Sequence, residues 1–284
     1  MNKRLNKLFK NSKRLNIDNN SRIVIISDCH RGIGDINDNF YKNRNIYEYA
    51  LEYYYNNGFT YIELGDGDDM WEVKNYHNLI KFNLSTFKII KKFFDVNRFY
   101  MIFGNHDIVK RDKKILEKYF YKYYVEKYDK YEILLKNLVV YESLVLKYCD
   151  CELFLIHGHQ VDFINSSLWL LTRFLVNNIW KKFEYLGAEL PVGNIDKTNN
   201  KNIVDKKLSN WSKDNNKILI AGHTHNSIFN KGNLYFNTGS CIHPDGITCI
   251  EIEKGIISFV KWDFKIRNNM LFSIKRNLLD KIEL

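Results

Sequence analysis

Five short clusters of aspartate, asparagine and histidine punctuate the chain, each closing a β-branched or aromatic run. They are Asp28 with His30; Asp66; Asn105 with His106 and Asp107; His157; and His223 with His225. Ligands of open α/β sheets gather beyond the carboxyl ends of the strands, so five such ends can converge on one site. Asp28 and His30 are two residues apart, as are His223 and His225. On an extended segment, residues i and i+2 share a face, which lets each pair aim at one target. Carboxylate, amide oxygen and imidazole without thiolate suit Mn, Fe or Zn. These candidates outnumber the four donors of a tetrahedral zinc, which points to two divalent ions, with Mn placed first. Two ions about 3.5–4 Å apart can clamp the attacking and leaving oxygens of a phosphoryl transfer.

The elements that must position these clusters read as alternating strands and helices. Arg22–Ile26, Phe59–Leu64 and Arg98–Phe103 are strand-like, each running into a cluster. Helical patterns fill 45–57, ending at Gly58, and roughly Tyr76 to Phe94. This alternation argues for a sheet with parallel βαβ units. Leu134 to Lys147 reads as short strands, and 152–156 as a strand ending in His157. About sixty residues then precede the next strand, 217–221. Of these, 163–186 and 203–215 look helical and suggest an inserted cap over about 160–216. Strands with turns fill 234–262. Residues 263–284 form a polar, basic C-terminal tail with helical spacing.

Taken together, Asp28-x-His30, Gly65-Asp66-x-x-Asp69, Gly104-Asn105-His106-Asp107, His157 and Gly222-His223-x-His225 resemble the calcineurin-like metallophosphoesterases. Every block of that family's pattern is present, in order, from about Ile23 to about Ser240; each block alone is weak. The resemblance implies an α/β fold, a two-sheet β-sandwich flanked by helices. It implies that Asp28, His30 and His225 hold one metal and Asn105, His157 and His223 the other, with Asp66 bridging. A hydroxide between the metals would attack a phosphate ester or anhydride. His106 would serve the leaving-group oxygen and Asp107 would orient His106. Asp69 is expected either behind the metals or capping the next turn, and Asp68 is expected to be solvated. Arg31 and His159 are candidate substrate contacts.

Within that superfamily, the 65–72 segment and His157-Gly-His-Gln-Val-Asp162 are similar to the branch of UDP-2,3-diacylglucosamine pyrophosphatases. The chain departs from that branch in carrying His106 where those enzymes carry arginine. The resemblance therefore implies a small nucleotide-linked or lipid-linked phosphate as substrate.

The chain has 284 residues, 45% of them hydrophobic, enough to bury a full core. Lys and Arg number 43 against 33 acids, a formal charge of +10. That balance favours anionic partners: a small phosphorylated substrate first, nucleic acid less, with peripheral contact to an anionic membrane left open. A nuclease and a non-catalytic scaffold are the alternatives, but no nucleic-acid module is recognisable and no ligand of the pattern is missing. Five cysteines without a CxxC pair argue against a disulfide framework and for a cytoplasmic protein. The apolar stretch Leu168–Trp180 is too short to span a bilayer. Residues 1–20 read as a frayed basic leader, with only a weak apolar face from Leu5, Leu8 and Phe9.

Overall fold

The computed structural model describes residues 2–162, 197–266 and 272–284. The strands are β1 (Lys13–Ile17), β2 (Arg22–Ile26), β3 (Thr60–Leu64), β4 (Phe99–Ile102), β5 (Lys122–Val125), β6 (Lys130–Ile133), β7 (Val140–Tyr141) and β8 (Ser143–Tyr148). They continue as β9 (Cys151–Ile156), β10 (Ile218–Ala221), β11 (Ser227–Asn230), β12 (Tyr235–Thr238), β13 (Ile247–Glu253), β14 (Ile256–Ile266) and β15 (Phe272–Glu283). The longer helices are α1 (Asn2–Asn11), α2 (Arg44–Asn56), α3 (Tyr76–Phe82), α4 (Leu84–Asp95) and α5 (Lys197–Asn215). One sheet runs β1-β8-β9-β10-β12-β11, the other β15-β14-β13-β2-β3-β4-β7, and β5 pairs with β6 as a separate hairpin.

Period two decides which face of each strand goes where. Ile23 and Ile25 of β2 and Ile62 and Leu64 of β3 meet Leu144, Leu146, Leu153 and Leu155 of the other sheet. That cluster is the sandwich core. The alternate residues Val24, Ile26 and Tyr61 face outward and pack with α2, α3 and α4. On the far side, Val145, Phe154 and Ile156 pack with Leu5 of α1 and with Leu208 and Trp211 of α5. The result is helices, sheet, sheet, helices, as the two-sheet reading requires. Each fully buried Leu or Ile contributes about 1.5–3 kcal/mol.

Four expectations change. Residues 2–17 are not a frayed leader: α1 seats Leu5 at 0% exposure, and β1 pairs in parallel with β8. The tail is not helical. β15 lies antiparallel to β14, and Arg276 donates to Glu251 Oε1 at 2.8 Å, which ties it to β13. The helix expected over Tyr76–Phe94 breaks at Asn83, whose buried side chain donates to Gly32 O at 2.7 Å and Leu79 O at 3.0 Å. Of the supposed cap, 163–196 lies outside the described residues, while α5 packs through Val204, Leu208 and Trp211 as an outer layer.

Candidate metal centre

Strands β2, β3 and β4 are mutually parallel, and so are β9 and β10 in the other sheet. Their carboxyl ends deliver Asp28, Asp66, Asn105, His157 and His223 to one end of the sandwich. Backbone hydrogen bonds stitch these ends together. Asp28 N–H donates to Gly65 O at 3.0 Å, His30 N–H to Asp66 O at 2.9 Å, and Gly222 N–H to His157 O at 2.9 Å. The pairs Asp28–His30 and His223–His225 do not use extended backbone as expected. Asp28, His30, Asp66, His223 and His225 all have positive φ, between 49° and 70°. This left-handed geometry bends each loop sharply enough to turn its side chains inward.

Two groups of donor atoms result, Asp28–His30–His225 and Asp66–His157–His223, each within 4.8 Å. Asp66 Oδ2 stands between them, 3.7 Å from His30 Nε2 and 3.2 Å from His157 Nε2. In the first group His225 Nε2 is 3.2 Å from Asp28 Oδ1 and 3.2 Å from His30 Nε2. Asn105 is buried in the loop that follows β4. Gly65 and Gly104 are required here. A Cβ on Gly104 would lie 2.1 Å from Asp66 Oδ1, and one on Gly65 2.5 Å from His157 Cγ.

The donor chemistry fits cations. His157 Nδ1 lies 2.9 Å from Leu64 O, and a carbonyl only accepts, so Nδ1 carries the hydrogen. Its Nε2 then points a lone pair at the centre in the neutral ring. That buried Nε2 meets only carboxylate oxygen, Asp66 Oδ2 at 3.2 Å, and the buried Oδ1 of Asn105 has no hydrogen-bond partner among the described residues. An orphaned buried acceptor such as the Asn105 oxygen is costly unless something positive meets it. The local field agrees. Burial disfavours a charged His157, yet Asp66 and Asp28 overcome it and hold its pKa at about 9. Burial also opposes ionised Asp28 and Asp66, but His157 with His225 for the former, and His157 with His106 for the latter, keep both below the ordinary carboxylate range. For His225, burial dominates and lowers the pKa to about 4.

His106 sits at the rim. Its ring stacks on Trp71 at 4.3 Å, and its Nδ1 lies 3.2 Å from Asp69 Oδ1. Asp69 Oδ1 also accepts Glu72 N–H at 3.2 Å, so this carboxylate both caps the turn and aims the imidazole. Burial opposes the His106 proton, but Asp66 and Asp69 raise its pKa to about 9.

Asp107 does not orient His106. It accepts Gly104 N–H at 2.7 Å, Gly67 N–H at 3.1 Å and Lys110 Nζ at 2.8 Å, pinning two site loops together. Arg31 does not face substrate either. It is wholly buried, bidentate to Glu63 at 2.7 and 2.9 Å, with Nε 2.6 Å from Asp68. Asp68 is buried rather than solvated, and it pairs with Lys110 at 2.6 Å as well. Burial works against the Lys110 charge, yet Asp107 and Asp68 hold its pKa above the ordinary lysine value. The acidic trio Glu63, Asp68 and Asp107 is thus already paired with two cationic side chains, Arg31 and Lys110. His159 is buried against Phe103 and His157, and burial pushes its pKa well down. Sequence reasoning assigned no metal role to Asp162, whose Oδ2 lies 3.2 Å from His223 Nε2. It assigned nothing to His243, whose ring nitrogen lies 3.0 Å from His225 O.

No described helix is long and apolar enough to cross a membrane. A search of curated proteins found no match. Among solved structures, the chain is similar to vacuolar protein sorting 29 from Cryptosporidium parvum, at 13% identity, 91% of this chain, 97% of that chain and TM-score 0.41. It is similar to a predicted phosphoesterase from Streptococcus pneumoniae, at 15% identity, 91% and 98% coverage and TM-score 0.38. It is also similar to a cold-active protein-tyrosine phosphatase from Shewanella, at 12% identity, 92% and 83% coverage and TM-score 0.39. A family model described as calcineurin-like phosphoesterase matches residues 21–227, which carry all the donors placed above. The chain belongs to the calcineurin-like phosphoesterase family.

Proposed function

We propose that the chain hydrolyses a phosphate ester or anhydride with two divalent cations. Asp28, His30 and His225 hold one, and Asn105, His157 and His223 hold the other. The observation that carries this reading is Asp66 Oδ2, set between the His30 and His157 nitrogens where one carboxylate can serve both ions. Bound there, the ions would neutralise phosphate charge and acidify water. Mn is the first choice and Fe or Zn the next, because the donors are oxygen and imidazole.

The chain's own residues supply the rest. Leu64 O fixes the His157 tautomer, as second-shell partners do for metal-binding histidines. Asp69 holds His106 Nδ1, which leaves Nε2 to give a proton to the departing oxygen. Trp71 keeps the ring flat against one wall. The substrate is a small nucleotide-linked or lipid-linked phosphate.

The test is elemental analysis of purified protein, then Mn²⁺ loading and a panel of p-nitrophenyl phosphate, bis(p-nitrophenyl) phosphate and nucleotide sugars. Hydrolysis that chelation abolishes is the expected result. Folded protein that takes up no divalent ion, or that cleaves no ester of the panel, overturns the proposal.

A further inference from the structure

The N-terminal helix builds a basic cavity at the end of the sandwich that carries the candidate centre. About 440 Å³ in volume, it is lined by Arg4, Lys7, Ser12, Lys13, Tyr141 and Glu142, among others. Three cations face it against one carboxylate. None of Arg4, Lys7 and Lys13 forms an ion pair among the described residues. The cationic face is a fixed one. Leu5 is fully buried, the Phe9 ring meets Phe154 edge-on at 5.4 Å, and Trp211 Nε1 donates to Asn6 Oδ1 at 2.7 Å. With α1 anchored in this way, Arg4 and Lys7, three residues apart, share one side of the helix.

Its place in the fold connects it to the chemistry. β1 and β7 are edge strands of the two sheets, and α1 leads into β1. β7 is parallel to β4, so Tyr141 lies at the same end of its sheet as the metal centre. Phe103 N–H donates to Tyr141 O at 3.0 Å, one residue before Gly104. Gln160 donates to Glu142 O at 3.3 Å and accepts Gly158 N–H at 2.9 Å. The cavity wall is therefore braced by the loop bearing Asn105 and His106 and by the one bearing His157.

We infer that this cavity takes a second anionic group of the substrate, one that the reaction leaves intact. The inference rests on the phosphoesterase reading: the reacting phosphate lies at the metal centre and the other anion meets Arg4 and Lys7. The guanidinium fork suits phosphate oxygens, and the volume admits a phosphate with its attached sugar. The substrate class is thus a phosphate ester that carries a further phosphate-like charge.

Two measurements test this. Metal-stripped protein, dialysed free of chelator, is titrated with inorganic tripolyphosphate by calorimetry. Parent protein should bind it, and Arg4→Gln/Lys7→Gln should weaken binding at least about tenfold. Both side chains are exposed, so the variant keeps its fold. Then metal-loaded protein is given thymidine 5′-(4-nitrophenyl phosphate) with and without a 3′-phosphate. The parent should have the lower KM for the 3′-phosphorylated ester, and the double variant should lose that preference. Absent tripolyphosphate binding, or an equal preference in both proteins, overturns the inference. If neither ester is cleaved while tripolyphosphate still binds at Arg4 and Lys7, the phosphoesterase reading falls and the cavity stands as an anion site.

Discussion

Lys110→Met removes the positive charge that three buried carboxylates share. Its Nζ lies 2.6 Å from Asp68, 2.8 Å from Asp107 and 3.8 Å from Glu63, with every partner at 0% exposure. At an effective dielectric of about 20, such contacts attract by roughly 4–6 kcal/mol each. Desolvating the ammonium takes back several kcal/mol. The methionine fits the space but leaves three carboxylates to Arg31 alone. Removing one partner of a buried ion pair costs about 3–5 kcal/mol, a large share of the roughly 5–15 kcal/mol that holds a domain together. In a chain of this size that lowers Tm by roughly 6–20 °C. Urea unfolding followed by circular dichroism gives the value, as a lower midpoint at unchanged slope. Adding Asp68→Asn to Lys110→Met should recover part of the loss, because it removes one stranded charge and keeps an oxygen for Arg31 Nε. A single-variant midpoint within about 0.5 kcal/mol of the parent would refute the claim that Lys110 neutralises this cluster.

Asp66→Ala should lose bound metal and hydrolysis together by elemental analysis and assay; activity retained with a full metal complement rejects the bridging role. His106→Ala should cut turnover by about 10²–10⁴ with metal content unchanged, and an unaffected kcat rejects its part in leaving-group protonation. Gly104→Ala drives a Cβ against Asp66 Oδ1, and metal affinity by titration should fall at least about tenfold. Equal affinity there means that the loop relaxes at no expense to the site. Leu5→Ala should destabilise by about 2–5 kcal/mol in urea, and no change would make α1 a mere appendage.

The convergence of the candidate donors was legible because each arrives within a few residues of a strand end, so local spacing carries the signal. The residues that hold the donors in place were not. Arg31 and Asp68 are 37 residues apart, and nothing near either one announces the partner. Lys110, alone in a Lys-rich stretch, reads as a surface charge, yet folding buries it completely. Asp107 was taken for the imidazole's partner because it is its neighbour. Asp69, from another loop, reaches the ring instead, while Asp107 turns toward Gly67 and Gly104. The first seventeen residues look like a basic tail by composition. Their apolar residues are few, Leu5, Leu8 and Phe9 against Phe154 and Trp211 and Leu15 and Ile17 against the sandwich core, and they matter only once those partners are in place. In 272–283 the alternation of Ile274 and Arg276 is too brief to outweigh a helical-looking spacing until β14 offers its edge.

The left-handed residues at the metal end have a consequence for how such a chain ages under mutation. Asp28, His30, Asp66, His223 and His225 each occupy backbone space that costs an ordinary residue about 1–2 kcal/mol. Glycine or asparagine at His30, His223 or His225 would relieve that tension, whereas Asp28 and Asp66 also accept the His223 and His106 N–H groups. If the two-cation reading holds, a lineage that no longer used the site would gain stability by discarding these imidazoles.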